Sequence, residues 1–432
     1  PIPAKWKRCA ASCQPLSEKR LSDEARCMHN RAPTTHVYLD YASTTPLDPR
    51  VAEHMAPYAH EFALQANPSS LHELGRSAAA ALSEARFRVA KVLGVRDDEI
   101  IFTGSGTESD NLAVMGSSRA CRERGRHIIV SAIEHKAVLA SAHALAREGF
   151  RVTLAPVTAE GIVDVPKLLA LVRDDTVFVS VMYVNNEVGS IQPIAELSRA
   201  LAVFRQGSEL PLLHVDACQA PCVLPVAPRE LGADLLTLNG GKMYGPKGIG
   251  CLYKRRGARL EPIIHGGGQE FGMRSGTESI ALAAGFSRAL ELAQAEYGAE
   301  SKRLAALNRM LRAGIQKIQG ASFNTPARSA SPAILNASFA AVEGESLLLD
   351  LDRRGMCVST GSACAATDLK PSYVLRAMGI PEELAHASLR FSMGRFTTQE
   401  DILRLLEVLP ESVKRIRSVC PSILTSAVPQ TI

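Results

Sequence analysis

The chain has 432 residues, of which 46% are hydrophobic and 22% charged, a composition typical of a folded soluble protein and unlike that of a disordered chain or a fibre. It has no run of about 18 apolar residues, which excludes a membrane span. The net charge is +5, and +4 of it lies in residues 1–36, so the rest of the chain lacks the basic footprint of a nucleic-acid-binding protein.

The ten cysteines are too sparse for a disulfide scaffold, and their spacing does not match a structural zinc site. Reduced thiols predict a cytoplasmic protein. Residues 1–36 contain seven lysines and arginines, three acidic residues and no apolar core of a secretory signal, so we expect a loosely ordered basic extension. If this extension is a targeting segment, the protein would instead enter a mitochondrion or another organelle.

Apolar residues at helical spacing predict a helix over residues 74–93. Short apolar, β-branched runs then alternate with helical stretches. These runs span residues 99–103, 127–133, 177–184, 210–215 and 235–238. Strands that alternate with helices predict an α/β domain with a mostly parallel sheet.

The last third of the chain has a different pattern, which predicts a smaller α+β domain. We expect helices over residues 301–318, 344–354 and 398–419, and strands over residues 334–340 and 388–392. The predicted limits are 1–36 for the extension, 37–290 for the large domain and 291–432 for the small domain. Residues near 37–50 could instead pack on the small domain.

Small and polar residues follow each predicted strand of the large domain. These clusters are residues 104–109 (GSGTES), 134–136 (EHK), 185–187 (NNE), 216–219 (DACQ) and 239–242 (NGGK). In an open parallel sheet, ligands bind outside the carboxyl ends of the strands. The clusters therefore predict one common binding site.

The residue types in these clusters favour pyridoxal 5′-phosphate (PLP) as the ligand. Lys242 lies beside glycines that let a planar group approach, and Asp216 can pair with a protonated pyridine nitrogen. The hydroxyl-rich turn at residues 104–109 offers backbone N–H groups to a phosphate. Taken alone, Lys242 would be read as a solvated surface lysine. The P-loop, the dinucleotide-binding glycine motif and H-E-x-x-H do not occur.

Several longer motifs resemble those of the cysteine desulfurases of the iron–sulfur-assembly branch, which are class V, fold-type I PLP enzymes. The resemblance runs from about residue 38 to about residue 415. The motifs are residues 38–46 (YLDYASTTP), 67–72 (NPSSLH), 107–111 (TESDN), 184–189 (VNNEVG), 266–270 (GGGQE), 273–277 (MRSGT), 362–364 (SAC) and 389–396 (LRFSMGRF).

This resemblance implies the fold-type I PLP-transferase fold, in which a large domain with a mostly parallel seven-stranded sheet is joined to a smaller α+β domain. It also implies that the enzyme converts L-cysteine to L-alanine and leaves the sulfur as a persulfide on Cys364. An iron–sulfur scaffold protein, a tRNA-thiolation protein or another acceptor would then take the sulfur. A homodimer is expected, and direct contact with nucleic acid or membrane is not.

The resemblance assigns five residues to the cofactor ring. Lys242 would carry PLP covalently and later move protons at the substrate α-carbon, while Asp216 would keep the pyridinium charged. Gln219 and Asn186 would hydrogen-bond the phenolic oxygen of the cofactor. His135 would stack on the ring and act as an acid or base.

The resemblance also assigns residues to the cofactor phosphate. Gly106 and Thr107 would bind it, and Thr277 would reach it from the partner subunit. The family usually has Ser-x-His-Lys at the lysine, whereas this chain has Asn239 and Gly241 in the serine and histidine positions. The Asn239 amide can still donate a hydrogen bond, but Gly241 cannot replace an imidazole. We therefore expect either weaker PLP binding or another residue that fills the gap.

By the same resemblance, Asn67 and Arg390 would clamp the substrate carboxylate, a role that suits a bidentate guanidinium. Cys364 would be the nucleophile. No firm metal site is expected, although Cys364 could ligate an iron–sulfur cluster transiently. Two further departures are Phe271 in place of the usual arginine and Cys218 in place of a small residue. The alternatives are a selenocysteine lyase and a non-catalytic homologue that only binds partners.

Overall fold

The protein is described by a computed structural model that covers residues 36–61, 64–205, 207–361 and 371–419. Its strands are β1 (Val37–Tyr38), β2 (Ile100–Thr103), β3 (His127–Ser131), β4 (Arg151–Ala155), β5 (Thr176–Ser180), β6 (Leu212–Asp216), β7 (Leu235–Asn239), β8 (Gly250–Lys254), β9 (Ala321–Phe323), β10 (Ile334–Phe339), β11 (Met356–Cys357) and β12 (Ser388–Ser392).

Helices flank these strands, and four of them have fewer than six residues. They are α1 (Pro49–His60), α2 (Glu73–Leu93), α3 (Gly106–Asn111), α4 (Ser117–Ala120), α5 (Lys136–Arg147), α6 (Val165–Ala170), α7 (Ile194–Arg205), α8 (Pro228–Leu231), α9 (Ile280–Ile315), α10 (Gly344–Arg353), α11 (Tyr373–Ala377), α12 (Glu382–His386) and α13 (Gln399–Val419). Among the described residues, no helix has both the length and the apolar character needed to cross a bilayer.

Seven strands form one sheet in the order β2-β8-β7-β6-β5-β3-β4. The neighbours from β7 to β4 are parallel, and β8 runs antiparallel between β2 and β7. Every residue of β3, β5 and β6 is buried, because helices cover both faces of a parallel sheet. The prediction of a mostly parallel sheet in an α/β fold is therefore confirmed.

The sequence patterns missed two strands of this sheet. The edge strand β4 is only partly buried and contains arginine and threonine, so it lacks an apolar run. The antiparallel strand β8 begins with glycine, which weakens the strand signal. The predicted strand over residues 177–184 is shorter than expected, since β5 ends at Ser180. The residues after Ser180 form part of the binding site.

Helix α2 shows why the amphipathic pattern was a good guide. The side chain of His72 caps the helix by accepting a hydrogen bond from the Gly75 N–H, and Gly94 ends it in the left-handed conformation. Its buried residues, such as Leu82, Ala85 and Val89, recur at helical spacing and face the core. Helix α2 packs along α9 and covers one face of the sheet.

A smaller three-stranded antiparallel sheet, in the order β12-β10-β9, lies in the C-terminal part. Helix α9 has 36 residues and runs without interruption through the predicted boundary at residue 290, much further than the helix expected over residues 301–318. The described residues from Tyr38 onward form one compact unit. The division at residues 290–291 stays a prediction.

Candidate active site

A cavity of about 230 Å³ opens at the carboxyl ends of the parallel strands. One side of it, which we call the sheet wall, consists of residues that follow strands of the seven-stranded sheet: Gly106, Thr107, His135, Asp216, Cys218, Gln219, Asn239 and Lys242. The other side, which we call the arginine wall, consists of Arg390 with Ala42 and Ser43. Asn186 also lines the cavity, so most of the predicted site residues are brought together.

The turn before α3 is shaped for an anion. The Ser105 hydroxyl caps the helix by accepting from the Glu108 N–H at 3.1 Å. The Glu108 carboxylate in turn accepts from the Gly104 N–H at 2.8 Å and forms an ion pair with Arg274. A Cβ added at Gly106 would lie 2.8 Å from the Cys218 sulfur, so this position has room only for glycine.

Lys242 lies in a short 3₁₀ turn after β7. Its Nζ donates to the carbonyl oxygens of Ala42 at 2.6 Å and Ser43 at 2.5 Å. The Gln219 side-chain amide donates to the same Ala42 carbonyl at 2.9 Å. The amine and the amide are therefore held at the point where the sheet wall meets the arginine wall.

Asp216 and His135 are both fixed through backbone N–H groups. Asp216 is 5% exposed, and its Oδ1 accepts from the Cys218 N–H at 2.9 Å. His135 accepts from the Ala137 N–H at 3.2 Å through Nδ1, which makes it the N-cap of α5. Because Nδ1 is an acceptor, the neutral His135 ring carries its proton on Nε2 and can donate it into the cavity.

Cys218 places a thiol in the cavity, where it could compete as a nucleophile. Burial, followed by the charge of Asp216, raises the pKa of Cys218 well above its usual range. Since the thiolate is the nucleophilic form, this cysteine is held as an inert thiol.

Arg390 is 3% exposed and anchors the arginine wall. Its guanidinium forms an ion pair with Asp40 at 2.8 Å and donates to the Ser43 hydroxyl at 2.7 Å and the Asn186 carbonyl at 2.9 Å. The Nε of Arg390 and the side-chain oxygen of Asn186 are buried without a hydrogen-bond partner. An unpaired buried polar atom costs about 1–3 kcal/mol, so both atoms suit a polar ligand in the cavity.

Several predicted site residues are not part of this cavity. Asn67 is exposed and accepts from the Ser69 N–H. Thr277 is exposed and lines a separate cavity of about 170 Å³ beside Gly104 and Arg274. Gly241 lies behind the lining, and Cys364 lies outside the described residues.

Comparison with known proteins identifies the family. A family model described as aminotransferase class-V matches residues 37–405. Cysteine desulfurase IscS from Dictyoglomus turgidum is 45% identical over 386 residues, which are 89% of this chain and 96% of that protein. IscS from Escherichia coli strain K12 DH10B is 45% identical over 391 residues, which are 89% of this chain and 94% of that protein.

Solved structures agree with these relatives. A NifS-like protein superposes with a TM-score of 0.81 at 36% identity, covering 88% of this chain and 100% of its own. DndA from Streptomyces lividans superposes with a TM-score of 0.68 at 38% identity, covering 82% of this chain and 99% of its own. This chain belongs to the class-V aminotransferases, in the cysteine desulfurase family. The predicted enzyme class, a PLP-dependent cysteine desulfurase, is confirmed.

The cavity of this desulfurase has polar groups suited to PLP, the cofactor on which its family depends. Asp216 offers a buried carboxylate to a charged ring nitrogen, and the Gly106 turn offers backbone N–H groups to a phosphate. The unpartnered Asn186 oxygen gives a further contact for a ligand that reaches across the cavity. The residues present therefore fit the cofactor.

Gly241 occupies the position at which the family usually has a histidine. A Cβ built there lies 3.5 Å from its nearest neighbour, Cγ of Lys247, so a Cβ fits without a clash. The Asn239 side-chain oxygen accepts from the Gly241 N–H at 3.1 Å, which turns the Asn239 amide nitrogen away from that bond. Asn239 thus keeps one donor available on the sheet wall.

Sequence reasoning missed the role of Ser43. The hydroxyl of Ser43 accepts from Arg390, and its carbonyl accepts from Lys242. Ser43 lies in the motif at residues 38–46, but no catalytic chemistry marks a serine followed by two threonines. The sequence signal for Ser43 was the motif at residues 38–46. Only the fold shows that this segment closes one side of the cavity.

A larger, more open groove of about 530 Å³ lies between α1, α2 and α9. The three arginines in its lining, Arg50, Arg88 and Arg288, are paired with glutamates. The groove has neither the strand-end residues nor the unpartnered atoms of the first cavity, which remains the candidate active site.

Proposed function

We propose that this desulfurase converts L-cysteine to L-alanine with PLP held covalently by Lys242, and that it passes the sulfur through Cys364 to an acceptor. The observation that carries this proposal is the single cavity in which Lys242, Asp216 and Arg390 meet. An amine, a buried carboxylate and a guanidinium are the groups that a PLP enzyme acting on an amino acid requires.

When bound, PLP supplies an electron sink that stabilises negative charge at the substrate α-carbon. Asp216 keeps the ring nitrogen protonated, since its buried carboxylate favours a cation beside it. Lys242 moves a proton at the α-carbon. Its amine is held by the Ala42 and Ser43 carbonyls, which direct it along the arginine wall, where substrate would lie.

Arg390 binds the carboxylate of cysteine. The Asp40 carboxylate and the Ser43 hydroxyl fix one side of its guanidinium, and its unpartnered Nε remains for the substrate. A guanidinium with a fixed orientation loses less conformational entropy when it binds a carboxylate. The substrate is thereby aligned with its α-carbon toward Lys242.

Cys364 attacks the sulfur of the bound substrate. The sulfur–carbon bond of cysteine breaks, a persulfide forms on Cys364, and the carbon skeleton leaves as alanine after protonation. His135, with its proton on Nε2, is placed to act as the acid on the sheet wall. Cys218 does not compete, because its pKa is raised.

The decisive experiment compares two cysteine variants. Cys364→Ser should keep the yellow colour of the bound cofactor and form no alanine from cysteine. Cys218→Ala is the matched control, because Cys218 lines the cavity, and it should form alanine at a rate close to that of the wild type. Undiminished alanine formation by Cys364→Ser, or its loss in Cys218→Ala, would overturn the assignment of the nucleophile.

We further propose a homodimer in which Thr277 completes the phosphate site of the partner subunit. Thr277 is exposed and lines a different cavity from Lys242 within one chain, which agrees with a contribution across subunits. Mixed dimers of Lys242→Ala and Thr277→Ala chains should contain one complete site and regain activity. No recovery in mixed dimers would refute the shared site.

The acceptor we propose is an iron–sulfur scaffold protein or another sulfur carrier, in the cytoplasm. A transfer assay with labelled cysteine should move the label to the purified acceptor, and Cys364→Ser should abolish the transfer. Transfer that persists in Cys364→Ser would exclude Cys364 as the donor.

A further inference from the structure

Behind Asp216 lies a second buried carboxyl group, that of Asp110, which does not line the cavity. Asp110 is on α3, four residues after Gly106, and is 1% exposed. Its Oδ1 is a buried atom without a hydrogen-bond partner. Oxygen and nitrogen atoms of Asp110, Asp216 and His135 all lie within 4.8 Å of one another.

Among the described residues, Asp110 forms no ion pair with a lysine or an arginine. Among the salt bridges of the described residues, its neighbour is His214, whose Nε2 lies 3.7 Å from the Asp110 Oδ1. That ring is already engaged, with Nδ1 at 2.9 Å from the Ser180 hydroxyl and Nε2 at 3.0 Å from the Thr237 hydroxyl. Full burial lowers the pKa of His214 to about 4, so the ring is neutral near pH 7.

Two carboxylates this close in a buried site cannot both be ionised without a cation between them. Asp216 receives the Cys218 N–H and faces the cavity, whereas Asp110 has an oxygen with no donor. Burial, followed by the charge of Asp216, raises the pKa of Asp110 well above its usual range. Geometry and charge agree that the proton of the pair resides on Asp110.

We propose that Asp110 is a positioning residue that acts through Asp216: its uncharged carboxyl group donates a hydrogen bond to the Asp216 carboxylate and leaves the negative charge of the pair facing the cofactor ring. Carboxyl oxygens of Asp110 and Asp216 lie within 4.8 Å of each other and no partner holds Oδ1 of Asp110, so turning the Asp110 O–H toward Asp216 breaks no hydrogen bond at Oδ1. A neutral acid used as a donor costs the site less than a second buried charge.

Other ionisable groups face this pair from every element packed around it. They are His214 from β6, Glu134 and His135 after β3, Cys218 after β6 and Lys242 after β7. Burial, then the charge of Asp216, also raises the pKa of Glu134. Of these three carboxyl groups, that of Asp216 is the one that lines the cavity.

This inference rests on the proposed pairing of Asp216 with PLP, and its test separates the two. Asp110→Asn keeps a donor of the same shape without charge, Asp110→Val keeps the shape and removes the donor, and Asp174→Asn removes an exposed carboxylate as the control. Asp216→Asn tests the proposed pairing alone and should weaken PLP binding whatever Asp110 does.

Two readouts on the full-length holoenzyme do not depend on turnover. The first is PLP affinity together with the pH midpoint of cofactor absorption. Asp110→Asn should match the wild type and Asp174→Asn, whereas Asp110→Val should bind PLP about tenfold more weakly, the loss expected for a hydrogen bond to a charged group. A shifted midpoint in Asp110→Asn, or unchanged affinity in Asp110→Val, would overturn the proposal.

The second readout is infrared difference spectroscopy between the wild type and Asp110→Asn near pH 7. A carbonyl band of a protonated carboxylic acid should be present in the wild type and missing in the variant. This measurement stands even if Asp110→Val does not fold. Absence of that band from the difference spectrum would show that Asp110 is ionised and that the proposal is wrong.

Discussion

The sheet wall and the arginine wall of the cavity are built in different ways. Asp216 and Lys242 of the sheet wall follow neighbouring parallel strands, β6 and β7. Arg390 of the arginine wall is joined to Ser43, 347 positions away in the sequence, and to Asp40, 350 positions away. The cofactor side therefore follows from the geometry of neighbouring strands. The substrate side forms only when segments far apart in the sequence come together.

The two walls also differ in the surroundings of their charged groups. The sheet wall keeps Asp216 apart from any arginine and surrounds it with groups whose burial favours their neutral forms, namely Asp110, Glu134 and Cys218. The arginine wall pairs its cation with Asp40. Substitutions in the sheet wall should therefore alter the cofactor, and substitutions in the arginine wall should alter substrate binding.

The largest effect should come from Lys242→Ala in the sheet wall. Loss of the covalent anchor and of the proton-moving group should lower alanine formation by about 10²–10⁴-fold. Absorption spectra and alanine assays measure the change. Lys247→Ala is the control, since Lys247 is an exposed lysine in the same loop, and it should stay active. Equal losses in both variants would show that Lys242 is neither the covalent anchor nor the proton-moving group.

The next largest effect should come from Arg390→Lys in the arginine wall. Lysine keeps the charge but loses the planar fork, so KM for cysteine should rise about 10–100-fold while PLP affinity stays unchanged. Steady-state kinetics and PLP titration separate the two quantities. Arg376→Lys, at an exposed position, serves as the control. A fall in PLP affinity would show that the arginine wall also contributes to cofactor binding.

Two glycines, Gly106 in the sheet wall and Gly241 behind it, give opposite expectations. Gly106→Ala places a Cβ 2.8 Å from the Cys218 sulfur and should weaken PLP binding about tenfold. Gly241→His places its Cβ in ordinary van der Waals contact, 3.5 Å from Cγ of Lys247, and should strengthen PLP binding several-fold by adding a donor. Equilibrium dialysis of PLP measures both. Weaker binding by Gly241→His would show that Asn239 already completes this part of the wall.

The smallest effect concerns stability, and it tests whether the buried acid Glu134, next to the sheet-wall residue His135, is neutral. The pKa of Glu134 is raised by burial, and its carboxyl accepts from the Met182 N–H. Such a group stabilises the fold fully below its unfolded pKa of about 4.3 and loses that contribution as pH rises through the folded pKa.

Glu134→Gln is uncharged at every pH and keeps the acceptor. Its free energy of unfolding relative to the wild type should therefore increase from about pH 4 upward. Urea unfolding at several pH values measures this difference. A difference that is constant with pH would show that Glu134 ionises normally.

The sequence predicted the sheet wall well and the arginine wall poorly. Gly106, Asp216 and Lys242 follow apolar runs, and parallel strands bring such positions to one edge. Arg390 was assigned by resemblance to a family, not by pattern, because nothing local joins β12 to residues 40–43. Asn67, assigned in the same way, is exposed and does not line the cavity.

The fold shows the same contrast. Helix α2 and strand β12 were predicted almost to the residue, because their apolar positions repeat regularly. Strand β4 was missed because a half-exposed edge strand has no continuous apolar run. Helix α9 was predicted too short, because none of its residues between Ala293 and Leu304 is buried, so the apolar pattern breaks in the middle of the helix.

The uninterrupted course of α9 has a mechanical consequence. Its 36 residues form a rod about 54 Å long. The N-terminal half lies against α1 and α2, and the rod also packs on α13 and β10. A long continuous helix resists bending. We therefore expect the distance between the elements that carry Lys242 and Arg390 to stay constant, and adjustment during turnover to fall to side chains and connecting loops.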